Sequence, residues 1–162
     1  MTPNRVVRIF LDLEETVIES WDNPLLINIQ KVKAFLKQRE VTQISIFSFA
    51  IHNQKDKDDF NRHLKGKLQD VLGVIIEPIE SLEDFCKIIR QGRGGAVWEP
   101  FELGLVWGKF RSFVDVCTMS APRGSINILI DDMVDDVVIH NKTRDVIIHT
   151  ININSVDRVL KE

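Results

Sequence analysis

Two acidic segments of this chain could do chemistry, because each directly follows a short apolar run. Asp12, Glu14 and Glu15 stand in the stretch RIFLDLEETVIESW, and Asp131 and Asp132 follow INILI. One such cluster alone is usually a solvated turn before a helix. Two clusters in matching positions instead favour a shared site, provided that the fold brings the two segments together.

The elements that would carry these residues can be predicted from apolar and β-branched runs. Five runs predict strands at residues 6–11, 43–49, 71–76, 126–130 and 145–153. We interpret all five as buried central strands, because their apolar residues are nearly continuous.

Amphipathic stretches lie between these runs and predict helices at residues 28–39, 57–72 and 98–119, and another after Ser81. The glycine-rich residues 92–95 predict a connector. Strands that alternate with helices indicate an α/β fold with a three-layer, doubly wound, mostly parallel and Rossmann-like sheet.

Length and charge set the general class of the protein. The 162 residues predict a single domain, and 21 basic against 24 acidic residues give a net charge of -3. That charge gives no strong general attraction to nucleic acid or to a membrane. The lack of a long apolar segment or signal-peptide core leads us to expect a cytoplasmic protein, with Cys86 and Cys117 as reduced, buried thiols.

Sites in open α/β sheets form beyond the carboxyl ends of the strands. This rule selects Asp12, Ser48, Asp131 and Asp132, which end the first, second and fourth predicted strands. Mg²⁺ prefers oxygen ligands and commonly uses one or two carboxylates together with substrate phosphate. Asp12 with Asp131 or Asp132 would provide such ligands.

Four segments, in this order, resemble the haloacid dehalogenase (HAD) superfamily of phosphohydrolases and phosphotransferases. FLDLEETV is similar to the D-x-D-x-[TV] signature of that family, and SIFSF places Ser48 as the hydroxyl residue that closes the second strand. Lys109 in WGKFRSFVDVC matches the basic residue that precedes the last acidic motif, which INILIDDMVDD resembles. The resemblance covers residues 6 to about 153.

The resemblance implies a HAD-type topology and a Mg²⁺-dependent phosphatase that acts through an aspartyl-phosphate on Asp12. Lys109 would hold phosphoryl oxygens and offset charge in the transition state, and Glu14 would occupy the position of the acid–base residue. The substrate contacts that we predict are Thr16, Ser48 and Asn53. The implied metal ligands are Asp12, Asp131, Asp132 and the carbonyl of Glu14.

Glu14 departs from the family pattern, since active members usually have aspartate at this position. The extra methylene moves the carboxyl group by roughly 1 Å, and an error of about that size can cost about 10²-fold in rate. Two hypotheses therefore stand: an active phosphatase, and a HAD-like scaffold whose catalysis has weakened.

The short connections after Thr16 and after the second strand leave no room for a large cap domain. An open site favours phosphate on a macromolecule or on an accessible nucleotide as the substrate. The alternative is a protein-binding or inhibitory factor, for example a phage-type inhibitor of a host protease or regulator. Its contact surface would lie around Arg93, Trp98 and Trp107, and a homodimer is compatible with the pattern.

Overall fold

Six strands form one sheet in the computed structural model, which describes residues 5–92 and 107–160. The strands are β1 (Val7–Leu11), β2 (Gln43–Ile46), β3 (Ile75–Ile79), β4 (Ile126–Asp131), β5 (Val137–Asn141) and β6 (Val146–Asn152). Their order across the sheet is β3-β2-β1-β4-β6-β5, and every pair is parallel except β5 with β6. The predicted α/β class with a mostly parallel sheet is confirmed, and this sheet is compatible with a Rossmann-like fold.

Helices connect the parallel strands. They are α1 (Ile29–Gln38), α2 (Gln54–His63), α3 (Lys65–Leu72), α4 (Leu82–Gly92) and α5 (Lys109–Ser120). A further helix, α6 (Val156–Leu160), follows β6. The predicted helix after Ser81 is confirmed as α4, and the described part of the predicted helix 98–119 contains α5.

Alternate side chains of β1 belong to two separate buried clusters, as the two-residue period of a strand requires. Ile9 and Leu11 pack in one cluster with Phe35 of α1, whereas Phe10 packs in the other with Phe113 of α5. The rings of Phe10 and Phe113 meet edge to face, with centroids 5.2 Å apart. Because side chains of β1 pack in both clusters, the backbone that directly precedes Asp12 is held in place.

The strand predicted at residues 71–76 was wrong in its position. Leu72 ends α3, and Gly73 ends the helix with φ at 70°, a conformation that suits glycine. The strand begins only at Ile75, which is 53% exposed because β3 lies at the edge of the sheet. The interpretation of all five runs as central strands was therefore also wrong for this one.

Two other boundaries differ from the prediction. The single helix predicted at residues 57–72 is two helices that meet at Leu64, and it begins earlier, at Gln54. The second strand ends at Ile46 rather than at residue 49. The antiparallel β5 was missed altogether.

Three further predictions concern single features. Cys86 and Cys117 are buried and outside any disulfide, as predicted, and burial raises the pKa of the Cys117 thiol to about 12. No helix within the described residues is long and apolar enough to cross a membrane. Arg93, Trp98 and most of the predicted glycine-rich connector lie outside the described residues.

The start of α4 carries a reciprocal cap. Ser81 donates its backbone N–H (2.8 Å) and its hydroxyl (3.1 Å) to Asp84 Oδ2, and Asp84 N–H donates to Ser81 Oγ at 3.2 Å. Lys57 forms an ion pair with the same carboxylate. Partial burial alone would raise the pKa of Asp84, but the bonds from Lys57 and Ser81 outweigh it and hold the pKa below 3.8.

We expect Asp84→Asn to lower the free energy of unfolding by about 1 kcal/mol at neutral pH. The lowered pKa means that the carboxylate stabilises the folded state above its unfolded-state pKa, and that this contribution is lost as pH falls through the folded-state pKa. Urea unfolding of the wild type and of Asp84→Asn at several pH values measures the difference in the free energy of unfolding. This difference should close below pH 3.8. A difference that stays constant far below that pH would contradict the assignment.

Candidate functional site

The carboxyl ends of β1 and β4 lie side by side in the sheet. Leu11 pairs with Ile130, and the N–H of Asp12 donates to the carbonyl of Ile130 at 3.0 Å. Asp131 is the last residue of β4, so the two aspartates leave neighbouring strands at the same edge. The positions selected from the strand ends are therefore brought together.

Three carboxylates meet at this edge. Asp12, Asp131 and Asp132 each offer an oxygen atom, and these atoms lie within 4.8 Å of one another. Mg²⁺ holds its oxygen ligands at about 2.0–2.1 Å, so opposite ligands of one ion stand about 4.2 Å apart. The three aspartates are therefore close enough together that they could hold one metal ion.

Asp131 is fixed more firmly than a surface carboxylate would be. Only 1% of its surface is exposed, and its Oδ1 accepts the backbone N–H of Met133 at 2.7 Å. Burial raises the pKa of Asp131, an effect that Lys109 opposes and that the charge of Asp12 reinforces. A buried, anionic oxygen held in this way is suited to a cation.

Lys109 supplies a positive charge from the first residue of α5. Its Nζ lies 2.7 Å from Asp12 Oδ1 and 3.1 Å from Asp131 Oδ2. Burial would lower the pKa of Lys109, but the two carboxylates outweigh burial and raise it above its ordinary value. The ammonium group therefore stays charged. Gly108, with φ at 82°, precedes it in a conformation that favours glycine.

Both oxygens of the Asp12 carboxylate accept hydrogen bonds. Oδ1 accepts from Lys109, and Oδ2 accepts from the hydroxyl of Thr16 at 3.0 Å. Burial raises the pKa of Asp12, while Lys109 and Thr16 act in the opposite direction. The Thr16 hydroxyl also lies 3.4 Å from Asp132 Oδ1, so one fully buried side chain contacts two of the three aspartates.

The side chain of Glu14 turns toward its own loop. Its Oε2 accepts the backbone N–H of Trp21 at 2.8 Å. Glu14 lines the same cleft as the three aspartates, but its carboxylate is not one of the three that lie within 4.8 Å of one another. The sequence contained no signal for this contact, because it depends on the conformation of an irregular loop.

The other two predicted substrate contacts are in different places. Ser48 is buried at the cleft, and its hydroxyl accepts the N–H of Ala50 at 3.1 Å. Asn53 instead begins α2, where its Oδ1 accepts the N–H of Asp56 at 3.1 Å. Asn53 does not line the cleft, so it stands apart from the residues that the edge brings together.

The acidic loop after β4 is tied to β6. The side-chain amide of Asn152 donates to the carbonyls of Asp132 (3.1 Å) and Val134 (2.9 Å), and the hydroxyl of Thr150 donates to the carbonyl of Asp135 (2.6 Å). These bonds fix the backbone that carries Asp132.

The aspartates open onto a cleft of about 420 Å³. Its lining includes residues that the sequence analysis did not select: Glu15, Glu19, Ser20, Phe49, Ala50, Gly108 and Met133. Phe49 and Met133 follow strand-end site residues by one residue, which is a signal that could have found them. Glu19 and Ser20 come from the loop after β1, and neither is adjacent in sequence to a predicted site residue.

Comparison with known proteins found no match to any protein-family model, curated protein or solved structure. The functional proposal therefore rests on the residues of the cleft and on their geometry.

Proposed function

We propose that this protein is a Mg²⁺-dependent phosphohydrolase of the HAD type, which acts on an accessible phosphate through an aspartyl-phosphate. One observation carries the proposal: Asp12 lies between Lys109 and Thr16, directly beside Asp131 on the neighbouring strand. A nucleophilic carboxylate needs such neighbours, because charge must be balanced where the phosphoryl group is transferred.

The proposed reaction has two steps. A carboxylate oxygen of Asp12 attacks phosphorus, the bond between phosphorus and the leaving oxygen breaks, and that oxygen takes a proton from water. A water molecule then attacks the phosphorus of the aspartyl-phosphate and gives up a proton to the solvent, and the bond between phosphorus and the Asp12 oxygen breaks, which releases phosphate and restores Asp12. Lys109 stabilises the negative charge on the transferred oxygens, and Ser48 offers them a hydroxyl.

Asp12, Asp131 and Asp132 would hold the Mg²⁺ ion. When bound, Mg²⁺ neutralises the charge that gathers on phosphoryl oxygens and offsets repulsion between substrate and carboxylates. We include the carbonyl of Glu14 as a further ligand on the basis of the resemblance alone.

The proposal includes a HAD-type, three-layer and doubly wound fold without a large cap. It is supported by the position of β1 inside the sheet and by the two buried clusters that share it. The short connections after Thr16 and after β2 support phosphate on a macromolecule or a nucleotide as the substrate. The proposal also includes a cytoplasmic location, which two buried cysteines outside any disulfide support.

Hydrolysis of an aryl phosphate tests this function. We expect turnover by the purified protein with Mg²⁺ and loss of turnover after treatment with EDTA, with recovery when Mg²⁺ is returned. Mg²⁺ alone should also raise the melting temperature of the wild type, because a ligand that binds only the folded state stabilises it. Asp131→Asn should reduce that rise. If turnover were equal in Mg²⁺ and in EDTA, the metal-dependent function would be rejected.

A second candidate is a HAD-like scaffold that binds or inhibits a protein, such as a phage-type inhibitor of a host protease or regulator. The hydrogen bond from the N–H of Trp21 to Glu14 favours this candidate. Glu14 stands at the position of the acid–base residue, and the bond turns its carboxylate toward the loop. No turnover by the wild type, together with turnover by Glu14→Asp, would favour this candidate over the phosphatase.

A further inference from the structure

The loop after β1 forms one wall of the cleft, which we call the Glu19 wall and define as residues 19–21. Glu19 and Ser20 line the cleft, while the ring of Trp21 packs against the larger buried cluster and lines a second cavity of about 290 Å³. The wall therefore lies between the cleft and the core, and its position sets the width of the cleft on this side.

The chain after the wall folds back on itself through local hydrogen bonds. The N–H of Glu19 donates to the carbonyl of Leu25 at 2.9 Å, and the N–H of Asn23 donates to the hydroxyl of Ser20 at 3.0 Å. These bonds stay within the turn. Backbone bonds hold the base of the loop near the strand end, since the N–H of Ile18 donates to the carbonyl of Leu13 at 3.1 Å. The bond between Trp21 and Glu14 adds a side-chain connection from the wall itself to the residue two positions after Asp12.

The length of the Glu14 side chain matters for this connection. Its Oε2 reaches the Trp21 amide at 2.8 Å, a normal hydrogen-bond distance. Aspartate at this position would hold its carboxylate one bond closer to the backbone, or roughly 1.5 Å short of the same place. The aspartate that active HAD proteins usually carry could not make this bond unless the backbone moved.

We infer that Glu14 is a positioning residue that holds the Glu19 wall beside the residues that directly follow β1, and that it does not act as the proton donor to the leaving group. The inference depends on the proposed phosphatase only for its kinetic consequences. The contact itself exists in the folded protein whether or not the protein is an enzyme.

Three variants at position 14 separate the effect of side-chain length from the effect of acidity. Glu14→Gln keeps the length and an amide oxygen that accepts from Trp21, but it cannot donate a carboxyl proton. Glu14→Asp keeps the acid and loses the reach, and Glu14→Ala loses both. Glu19→Gln is the matched control, because it removes one charge from the same cleft without touching the Trp21 amide.

Hydrogen exchange at the Trp21 amide, followed by NMR, tests the contact without any substrate. We expect wild-type protection in Glu14→Gln and in Glu19→Gln, and exchange at least about tenfold faster in Glu14→Asp and Glu14→Ala. Equal protection in all of the proteins would overturn the positioning role. This result stands even if no phosphatase activity is found, so the failure of the proposed function would be distinguished from the failure of this inference.

Kinetics with two leaving groups test the role in catalysis. An aryl phosphate has a leaving group that departs without a proton, whereas an alkyl phosphate needs one. A positioning residue predicts that each substitution changes kcat by the same factor on both substrates, and that Glu14→Ala and Glu14→Asp raise KM by about tenfold on both. If Glu14→Gln lost kcat on the alkyl phosphate and kept it on the aryl phosphate, Glu14 would be the proton donor and the inference would be wrong.

Discussion

Asp12→Asn should abolish phosphate hydrolysis and leave the fold intact. The amide is nearly the same size as the carboxylate but cannot attack phosphorus, so we expect kcat to fall by at least about 10³-fold. The remaining amide oxygen can still accept from Lys109. The Thr16 hydroxyl, which now donates to Oδ2, can rotate to accept from the new NH₂ group.

The measurement is the rate of aryl phosphate hydrolysis at saturating Mg²⁺, beside thermal unfolding followed by circular dichroism. Asp70→Asn is a matched control, because it makes the same chemical change on the exposed surface of α3. Activity in Asp12→Asn above about one-tenth of wild type would exclude Asp12 as the nucleophile, provided that the melting temperature is unchanged.

Lys109→Met should destabilise the protein strongly as well as reduce its activity. Methionine keeps much of the volume but removes the charge that lies 2.7 Å from Asp12 and 3.1 Å from Asp131. Removing one partner from a buried ion pair usually costs about 3–5 kcal/mol, because the other charge stays buried without compensation. We expect the free energy of unfolding to fall by about that amount and turnover to fall by about 10²–10³-fold.

The loss of stability in Lys109→Met should depend on pH in a defined direction. Burial raises the pKa of both Asp12 and Asp131 above 3.8, so these carboxyl groups favour the folded state most at low pH, and that benefit is lost as pH rises through their folded-state pKa values. The difference between variant and wild type should therefore be large at neutral pH and shrink toward pH 3.8.

Urea unfolding with and without Mg²⁺ measures this difference, and Mg²⁺ should recover part of the lost stability because it supplies positive charge to the same carboxylates. Lys67→Met, on the exposed side of α3, controls for the chemical change alone. If Lys109→Met and Lys67→Met unfolded at the same urea concentration, the ion pairs of Lys109 would contribute nothing to stability.

The parallel core of the sheet could be predicted from the sequence, because its strands are nearly continuous apolar runs. The predicted first, fourth and fifth strands correspond to β1, β4 and β6, with ends displaced by no more than one residue. Beyond these strands the signal was ambiguous. The apolar residues Val71 and Leu72 suit a strand as well as the buried face of a helix, and only tertiary packing places them in α3.

The missed strand has a different cause. The segment Val137–Asn141 follows four aspartates within six residues and lies at the edge of the sheet, with Val138 63% exposed. Its apolar residues do not form a buried run, and its pairing is set by the hairpin with β6 rather than by its own hydrophobicity.

The site was predictable where it depends on strand ends and unpredictable where it depends on loops. The rule of carboxyl ends was enough to bring Asp12 together with Asp131, because register in a parallel sheet follows from the strands themselves. Lys109 entered only through the resemblance, since nothing in its spacing shows where α5 begins. The hydrogen bond from Trp21 to Glu14 could not be predicted, because it depends on the conformation of a loop without regular secondary structure.

The hydrogen bonds from Asn152 have a consequence for the order in which the protein matures. Asn152 is the last residue of β6 and lies 20 residues after Asp132, whose carbonyl it holds. During synthesis the acidic loop leaves the ribosome before the strand that fixes it. A chain that ends before residue 152 would carry Asp12, Lys109 and all of the aspartates of the loop. It would lack the hydrogen bond from Asn152 that fixes the backbone of Asp132. The arrangement of the three carboxylates should therefore be completed only after the last strand has been made.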